Sequence, residues 1–188
     1  YRVTGQACLI EGVSWADHSA VTDIARHLDV RFSADDNCEI LVAYKGVDVS
    51  REIRSEEGGR GASTVAAIPS VREALLERQR ELRREPGLVA DGRDMGTVVF
   101  PDAPLKFFLT ASAEERAERR YKQLIAKGES VSLPRLLKDL QERDKRSSSR
   151  AVAPLVPAED AIVIDSSATP IDQVFEQVMQ KVREKGLN

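Results

Sequence analysis

Residues 88–109 read LVADGRDMGTVVFPDAPLKFFL, and their pattern decides the fold class. Leu88-Val89-Ala90 is a short apolar run that breaks off at Asp91-Gly92-Arg93-Asp94, and Leu105 to Leu109 is a second apolar run. Ala161-Ile162-Val163-Ile164 repeats the pattern later in the chain. Between and after these runs the period lengthens to that of a helix. Ser112 and Glu115 have S-x-x-E capping-box spacing for a helix that ends near Gly128. A further helix starts near Ser132 and carries Leu133, Leu136, Leu137 and Leu140; the last has Thr169 as N-cap and Pro170 at its first position, with Ile171, Val174, Phe175, Val178 and Val182 along one face as far as Gly186. Near-continuous apolar strands that alternate with helices predict an α/β fold whose parallel sheet is covered on both faces. Ligands in such sheets bind beyond the carboxyl ends of strands, which singles out the loop after Val89.

Upstream the pattern differs. Residues 16–28 read as a helix, with Val21, Ile24, Ala25 and Leu28 on one face. In residues 29–50, Val30 and Phe32, then Ile40, Val42 and Tyr44, then Val47 and Val49 alternate with other residues, divided at Asp35-Asp36-Asn37 and Lys45-Gly46. That predicts a small antiparallel sheet with tight turns. A glycine-rich stretch, Gly58-Gly59-Arg60-Gly61, precedes a helix opened by Pro69 and stopped by Pro86-Gly87.

Bulk properties set limits. The 188 residues are 41% hydrophobic and 31% charged, as in soluble globular chains. No apolar run approaches the roughly 20 residues of a membrane span. Cys8 and Cys38 have no metal-ligand or redox spacing and read as free thiols of a reducing, cytoplasmic setting. The net charge of −3, with one Trp, three Tyr and five Phe, offers neither the basic stripe nor the stacking platform of an RNA-binding surface. His18 and His27 lack partners at metal-ligand spacing.

Arginines nonetheless gather locally. Arg93 and Asp94 project from the candidate loop: the arginine offers a planar fork for phosphate, and the aspartate can accept from an amino group or orient the arginine. An ordinary polar turn explains the same residues. Arg143, Arg146 and Arg150 lie at helical spacing, suited to converge on one anion or simply to complement a helix C-terminus. Arg116, Arg119 and Arg120 share a helix with Glu114, Glu115 and Glu118, so they read either as a salt-bridged face or as a phosphate clamp on a lid. Spacing alone does not mark Ser63 or Arg72.

The segment 87–104, with Asp91-Gly92-Arg93-Asp94 at its centre, resembles the hallmark of bacterial cytidylate kinases. Arg150-Ala151-Val152-Ala153-Pro154-Leu155, Asp48-Val49-Ser50 with Glu52-Ile53-Arg54, and the run from Val71 to Leu76 resemble the same family, so the likeness covers essentially the whole chain. It implies a P-loop nucleoside-monophosphate-kinase sheet with a small antiparallel insert. Residues 1–28 and 63–188 would form the core, 119–150 the lid, and 29–62 the substrate-binding insert. The implied reaction moves the γ-phosphate of ATP to CMP or dCMP, with Mg²⁺ accompanying ATP. The implied protein is a cytoplasmic monomer without nucleic-acid or membrane partners.

The resemblance also implies roles. Ser63, Arg72 and Asp94 match residues that hold the cytosine ring, and Arg2, Arg93 and Arg150 match those that meet the substrate phosphate. Tyr1 matches a tyrosine near the substrate, and Arg143 an arginine that reaches the nucleotide. Arg116, Arg119 and Arg120 match the lid over ATP. Arg93, Arg120 and Arg150 would stabilise charge on the moving phosphoryl group. Two departures stand out. The 188 residues contain no G-x-x-x-x-G-K-[ST] run, and the family's D-S-G-x-x-Y-R motif is represented only by Tyr1-Arg2. The expectation is therefore a chain truncated before Tyr1, lacking two strands, one of them central, and inactive alone; the alternative is a pyrimidine-nucleotide-binding remnant without catalysis. Second, the family pattern R-D-x-x-D-x-x-R has Ser147 in place of its second aspartate, which contacts the ribose.

Overall fold

A computed structural model describes residues 1–36, 39–126, 128–149 and 153–187. The chain divides into two compact units, Tyr1–Leu88 and Val89–Asn188.

In the first unit, α1 (Arg2–Ile10) packs on α3 (Glu56–Val65), and α2 (His18–Arg26) on α4 (Pro69–Arg80). Asp17 caps α2 by accepting from the Ala20 amide at 3.0 Å. Val3, Ala7, Cys8, Val21, Ile24, Ala25, Val65, Val71 and Leu75 form the core, joined by Val42, Tyr44 and Val49. Cys8 is a buried free thiol, and burial leads the effects that push its pKa up; Cys38 lies outside the described residues.

The antiparallel sheet forms as its alternation predicts: β1 (Val30–Ala34), β2 (Ile40–Tyr44) and β3 (Val47–Asp48), in that order, with Phe32 opposite Val42 and Val30 opposite Tyr44. Lys45 and Gly46 have φ of 47° and 80°, the paired left-handed geometry of a two-residue hairpin turn. Asp48, Ser50 and Arg54 tie the end of the sheet. The Ser50 hydroxyl accepts from the Val42 amide at 2.8 Å and donates to Asp48 at 2.5 Å. Arg54 donates to the carbonyls of Ser50 and Ile40, at 2.9 and 2.5 Å.

Two helices were not apparent from hydrophobic period. Helix α1 reads RVTGQACLI, poor in strong helix formers, and packing of its small residues holds it. The glycine-rich stretch lies inside α3. Its start was signalled by Ser55, whose hydroxyl accepts from the Gly58 amide at 3.0 Å, followed by Glu56 and Glu57 in the first turn. The glycines serve contact. A Cβ on Gly61 would lie 2.8 Å from the Trp15 ring, and one on Gly58 2.6 Å from the Glu52 carbonyl oxygen.

In the second unit, β4 (Phe107–Thr110) and β5 (Ile162–Asp165) pair in parallel, Phe107 opposite Ile162 and Thr110 opposite Asp165. Helices α5 (Ala113–Ala126) and α6 (Leu133–Ser148) pack on each other, and α7 (Ile171–Glu184) follows β5. The Ser112 hydroxyl accepts from the Glu115 amide at 3.1 Å, one half of the expected capping box; the Glu115 carboxylate turns to Arg119 instead.

Three expectations are corrected. Leu88-Val89-Ala90 is not a strand: Val89 is 99% exposed, and among the described residues no strand pairs with it. An apolar run becomes a strand only when a neighbour takes up its backbone groups. The sheet is not covered throughout, since Leu109 and Val163 are both more than half exposed. Finally, Pro170, rather than Thr169, occupies the N-cap of α7, a shift of one residue.

Candidate functional site

Each unit presents its own group of the expected residues. In the first, the Arg72 guanidinium lies 5.5 Å from the centre of the Tyr1 ring, a cation–π distance. Arg72 is 7% exposed and donates to the Ala66 carbonyl at 3.4 Å. Helix α4 places it one turn from Pro69, whose fixed φ suits a helix start. Arg2 donates to the Ile53 carbonyl, and its guanidinium lies 3.8 Å from where a Cβ on Gly59 would be. Gly59 thus leaves room beside that arginine. Ser63, on the same helix as Gly59, is half-buried.

In the second unit the candidate loop leads into a single wide turn, Met95–Val99. The Asp94 carbonyl accepts from the amides of Val98 and Val99 at 2.9 and 3.2 Å, and Asp94 is 5% exposed. The two amide bonds fix the backbone from which the buried Asp94 side chain projects. Arg93, next to it, reaches α6, where its Nη2 donates to Asp144 Oδ1 at 3.2 Å. Arg116 on α5 donates from Nη2 to the other carboxylate oxygen of Asp144 at 2.5 Å. The loop, α5 and α6 therefore meet at one carboxylate shared by two guanidiniums. Burial alone would raise the pKa of Asp144. Hydrogen bonding and charge from Arg116, then from Arg93, outweigh it and hold the carboxyl below its ordinary range.

Sequence reasoning assigned Asp144 no role, although it stands directly after Arg143. An acidic residue among arginines at the end of a helix was the available signal. The remaining arginines divide. Arg119 is committed to its own unit, donating to Glu115 at 2.8 Å and to the Ser166 hydroxyl and carbonyl at 3.2 and 2.5 Å. Arg120 and Arg143 are half-buried, whereas Arg146 is exposed. Ser147 is 5% exposed, and its hydroxyl donates to the Arg143 carbonyl at 2.9 Å. Arg150 lies outside the described residues. Among the described residues no three His, Cys, Asp or Glu side chains gather closely enough to hold a metal ion. None of the described helices is long and apolar enough to cross a membrane.

Paired arginines anchored on one carboxylate beside a buried aspartate suit an oxygen-rich anion attached to a hydrogen-bonding group. The family-wide sequence model described as cytidylate kinase matches residues 1–184. The chain belongs to the cytidylate kinase family. Among its relatives, the cytidylate kinase of Enterobacter sp. (strain 638) is 57% identical over 186 residues, which are 98% of this chain and 81% of the relative. That of Salmonella arizonae is equally similar over the same span. The cytidylate kinase of Stutzerimonas stutzeri (strain A1501) is 53% identical over 188 residues, all of this chain and 82% of the relative. Membership of the cytidylate kinase family supports transfer of phosphate from ATP to CMP.

Proposed function

We propose that the chain supplies the acceptor side of a reaction that moves the γ-phosphoryl group of ATP to CMP or dCMP. The observation that carries this reading is the meeting of Arg93 and Arg116, from separate segments, at Asp144 beside buried Asp94. Two guanidiniums fixed before the substrate arrives cost no reorganisation when phosphoryl charge develops, and this preorganisation supplies the rate.

Specific roles follow. Asp94 accepts from the cytosine amino group, while Arg72 and Ser63 donate to its ring acceptors. Arg2, Arg93 and Arg150 bind the acceptor phosphate, Tyr1 packs near the substrate, and Arg143 and Ser147 approach the ribose end. Arg116, Arg119 and Arg120 belong to a lid at 119–150 and its approach, with closure excluding water from the transfer. Arg93, Arg120 and Arg150 carry the catalytic charge stabilisation. Residues 1–28 and 63–188 act as a nucleoside-monophosphate-kinase core, its sheet flanked by helices, and 29–62 as the substrate insert. Mg²⁺ accompanying ATP would neutralise phosphate oxygens when bound; among the described residues no group of three His, Cys, Asp or Glu side chains gathers to hold it, and the roles above are those of this chain's own side chains. A monomer working in the cytoplasm suits these roles.

Residues 1–188 contain no G-x-x-x-x-G-K-[ST] run. That is the one observation in favour of a binding-only reading, in which these residues alone bind the acceptor nucleotide without turning it over. The test is nucleotide-diphosphate formation from ATP with CMP, dCMP, UMP and AMP, using the native gene product and residues 1–188 in parallel. CDP and dCDP formation by the native product, with UMP used at least ~10-fold less well, is expected, because a charged acceptor left unpaired costs about that factor. AMP as the preferred acceptor would refute the assignment.

A further inference from the structure

The proposed function uses Asp144 only as the point where two arginines meet, and its surroundings give it a role of its own. Its two oxygens go to different arginines, Oδ1 to Arg93 and Oδ2 to Arg116, at 3.2 and 2.5 Å. Arg116 is further fixed by its Nε, which donates to the carbonyls of Ala111 and Ser112 at 3.1 and 3.3 Å. Those carbonyls lie where β4 passes into α5, so the guanidinium is fastened to the backbone on one edge and to Asp144 on another. The Nη1 of Arg93 is buried and has no hydrogen-bond partner among the described residues. A planar guanidinium fixed through one nitrogen has its other N–H groups fixed in direction. The three side chains are 27–33% exposed, enough for a ligand to reach them and too little for water to screen them fully.

What the cluster leaves open is a buried Arg93 donor that lacks an acceptor among the described residues, in a half-dry corner. An ion pair that served only to join α5 to α6 would need one arginine. The second arginine comes from the loop beside Asp94, and its unfilled donor suits the oxygen of an anion.

We propose that Asp144 is a positioning residue that holds Arg93 and Arg116 so that both aim at one phosphoryl group. This rests on the phosphotransfer reading above. The carboxylate keeps two like charges together in the absence of nucleotide and sets the direction of each fork. It acts through the arginines and touches no reacting atom.

The experiment uses the native gene product as wild type, Asp144→Asn, Asp144→Glu, Arg116→Gln and the double variant Asp144→Asn/Arg116→Gln, with kcat and KM measured for CMP and ATP. Asp144→Asn is expected to lower kcat by roughly 10–100-fold with a much smaller change in KM, the scale of a misaligned catalytic group. Asp144→Glu should recover most of that loss. In the Arg116→Gln background the Asn substitution should cost well under its single-variant factor, because part of what it positions is already gone. A full, undiminished loss in that background, or an unchanged kcat with only a lower melting temperature, overturns the proposal. A second readout stands apart from turnover: ¹⁵N spectra of the arginine side chains during titration with pyrophosphate. Wild type should show sharp Arg93 and Arg116 Nε–H signals that shift together, and Asp144→Asn should broaden or uncouple them. If the wild type makes no CDP, the phosphotransfer reading falls while these spectra still decide the positioning; identical spectra in both proteins overturn it.

Discussion

Replacing Gly61 by alanine places a methyl group against the ring of Trp15. The new Cβ would stand 2.8 Å from Cζ2 and 3.3 Å from Cε2 and Cη2. Carbon atoms settle at about 3.5–4.0 Å, so the ring must retreat by several tenths of an ångström. It is not free to do so, because Trp15 Nε1 donates to the Gly5 carbonyl at 2.9 Å. Gly5 is pinned in turn: a Cβ there would meet the Gly61 backbone at 3.0 Å. Overpacking of this kind costs about 1–3 kcal/mol, and a broken hydrogen bond about 1 more. Alanine returns about 1 kcal/mol through helix propensity. The net destabilisation is about 1–3 kcal/mol, or roughly 3–9 °C in melting temperature for a chain of this size. Trp15 is the sole tryptophan, so its fluorescence reports unfolding from the contact itself. Gly59→Ala is the control, two residues away in the same helix. Its Cβ would meet only the flexible end of Arg2 at 3.8 Å, so it should stabilise by about 0.5–1 kcal/mol. A Gly61→Ala protein as stable as wild type in urea, or more so, would refute the close-contact reasoning.

Three further outcomes are expected. Arg72→Met keeps the buried stem and removes the charge; it should weaken CMP binding by at least ~10-fold with a much smaller change for inorganic phosphate, measured by calorimetry. Asp144 has a folded-state pKa held down by Arg116 and Arg93 against the effect of burial, so its ionised form stabilises the fold above the unfolded carboxylate pKa of about 4 and that stabilisation is lost as pH falls through the lower folded value. Asp144→Asn should therefore lie below wild type in urea stability at pH 7, with the gap closing as pH falls below the unfolded carboxylate pKa of about 4; a constant gap across the acid range would contradict the ion-pair account. Ser147→Asp should tighten CMP binding in the native gene product by adding a charged acceptor for ribose hydroxyls, against a stability cost because Ser147 is 5% exposed; equal affinities by titration would remove ribose contact from this position.

The hairpin at Lys45-Gly46 was legible because two left-handed residues between alternating strands leave few alternatives. The Pro69 helix and the helix after Ser112 were legible for the same kind of reason, since the proline and the cap serine act locally. Helices α1 and α3 were not, because their stability comes from contact. The stretch Gly58 to Gly61 has no hydrophobic period, and only the Glu52 carbonyl and Trp15 explain why alanine is absent at Gly58 and Gly61. Leu88-Val89-Ala90 misled in the opposite direction, since its apolar character says nothing about whether a neighbouring strand receives it. At the site, Arg93 and Asp94 were marked by their place after an apolar run. Arg72, Ser63 and Arg2 were marked by family resemblance alone. Asp144 stands in the R-D-x-x-D-x-x-R pattern without a role, because its partners lie 28 and 51 residues away and the pattern does not record them.

The most direct test of the central claim is the steady-state rate of CDP formation from ATP and CMP by the native gene product, beside its Arg93→Gln variant. The account predicts clear turnover by the wild type and a fall of about 10²–10³-fold in kcat on loss of Arg93, the scale of removing one preorganised charge-stabilising donor. No CDP from the wild type, or equal rates from the two proteins, would contradict it.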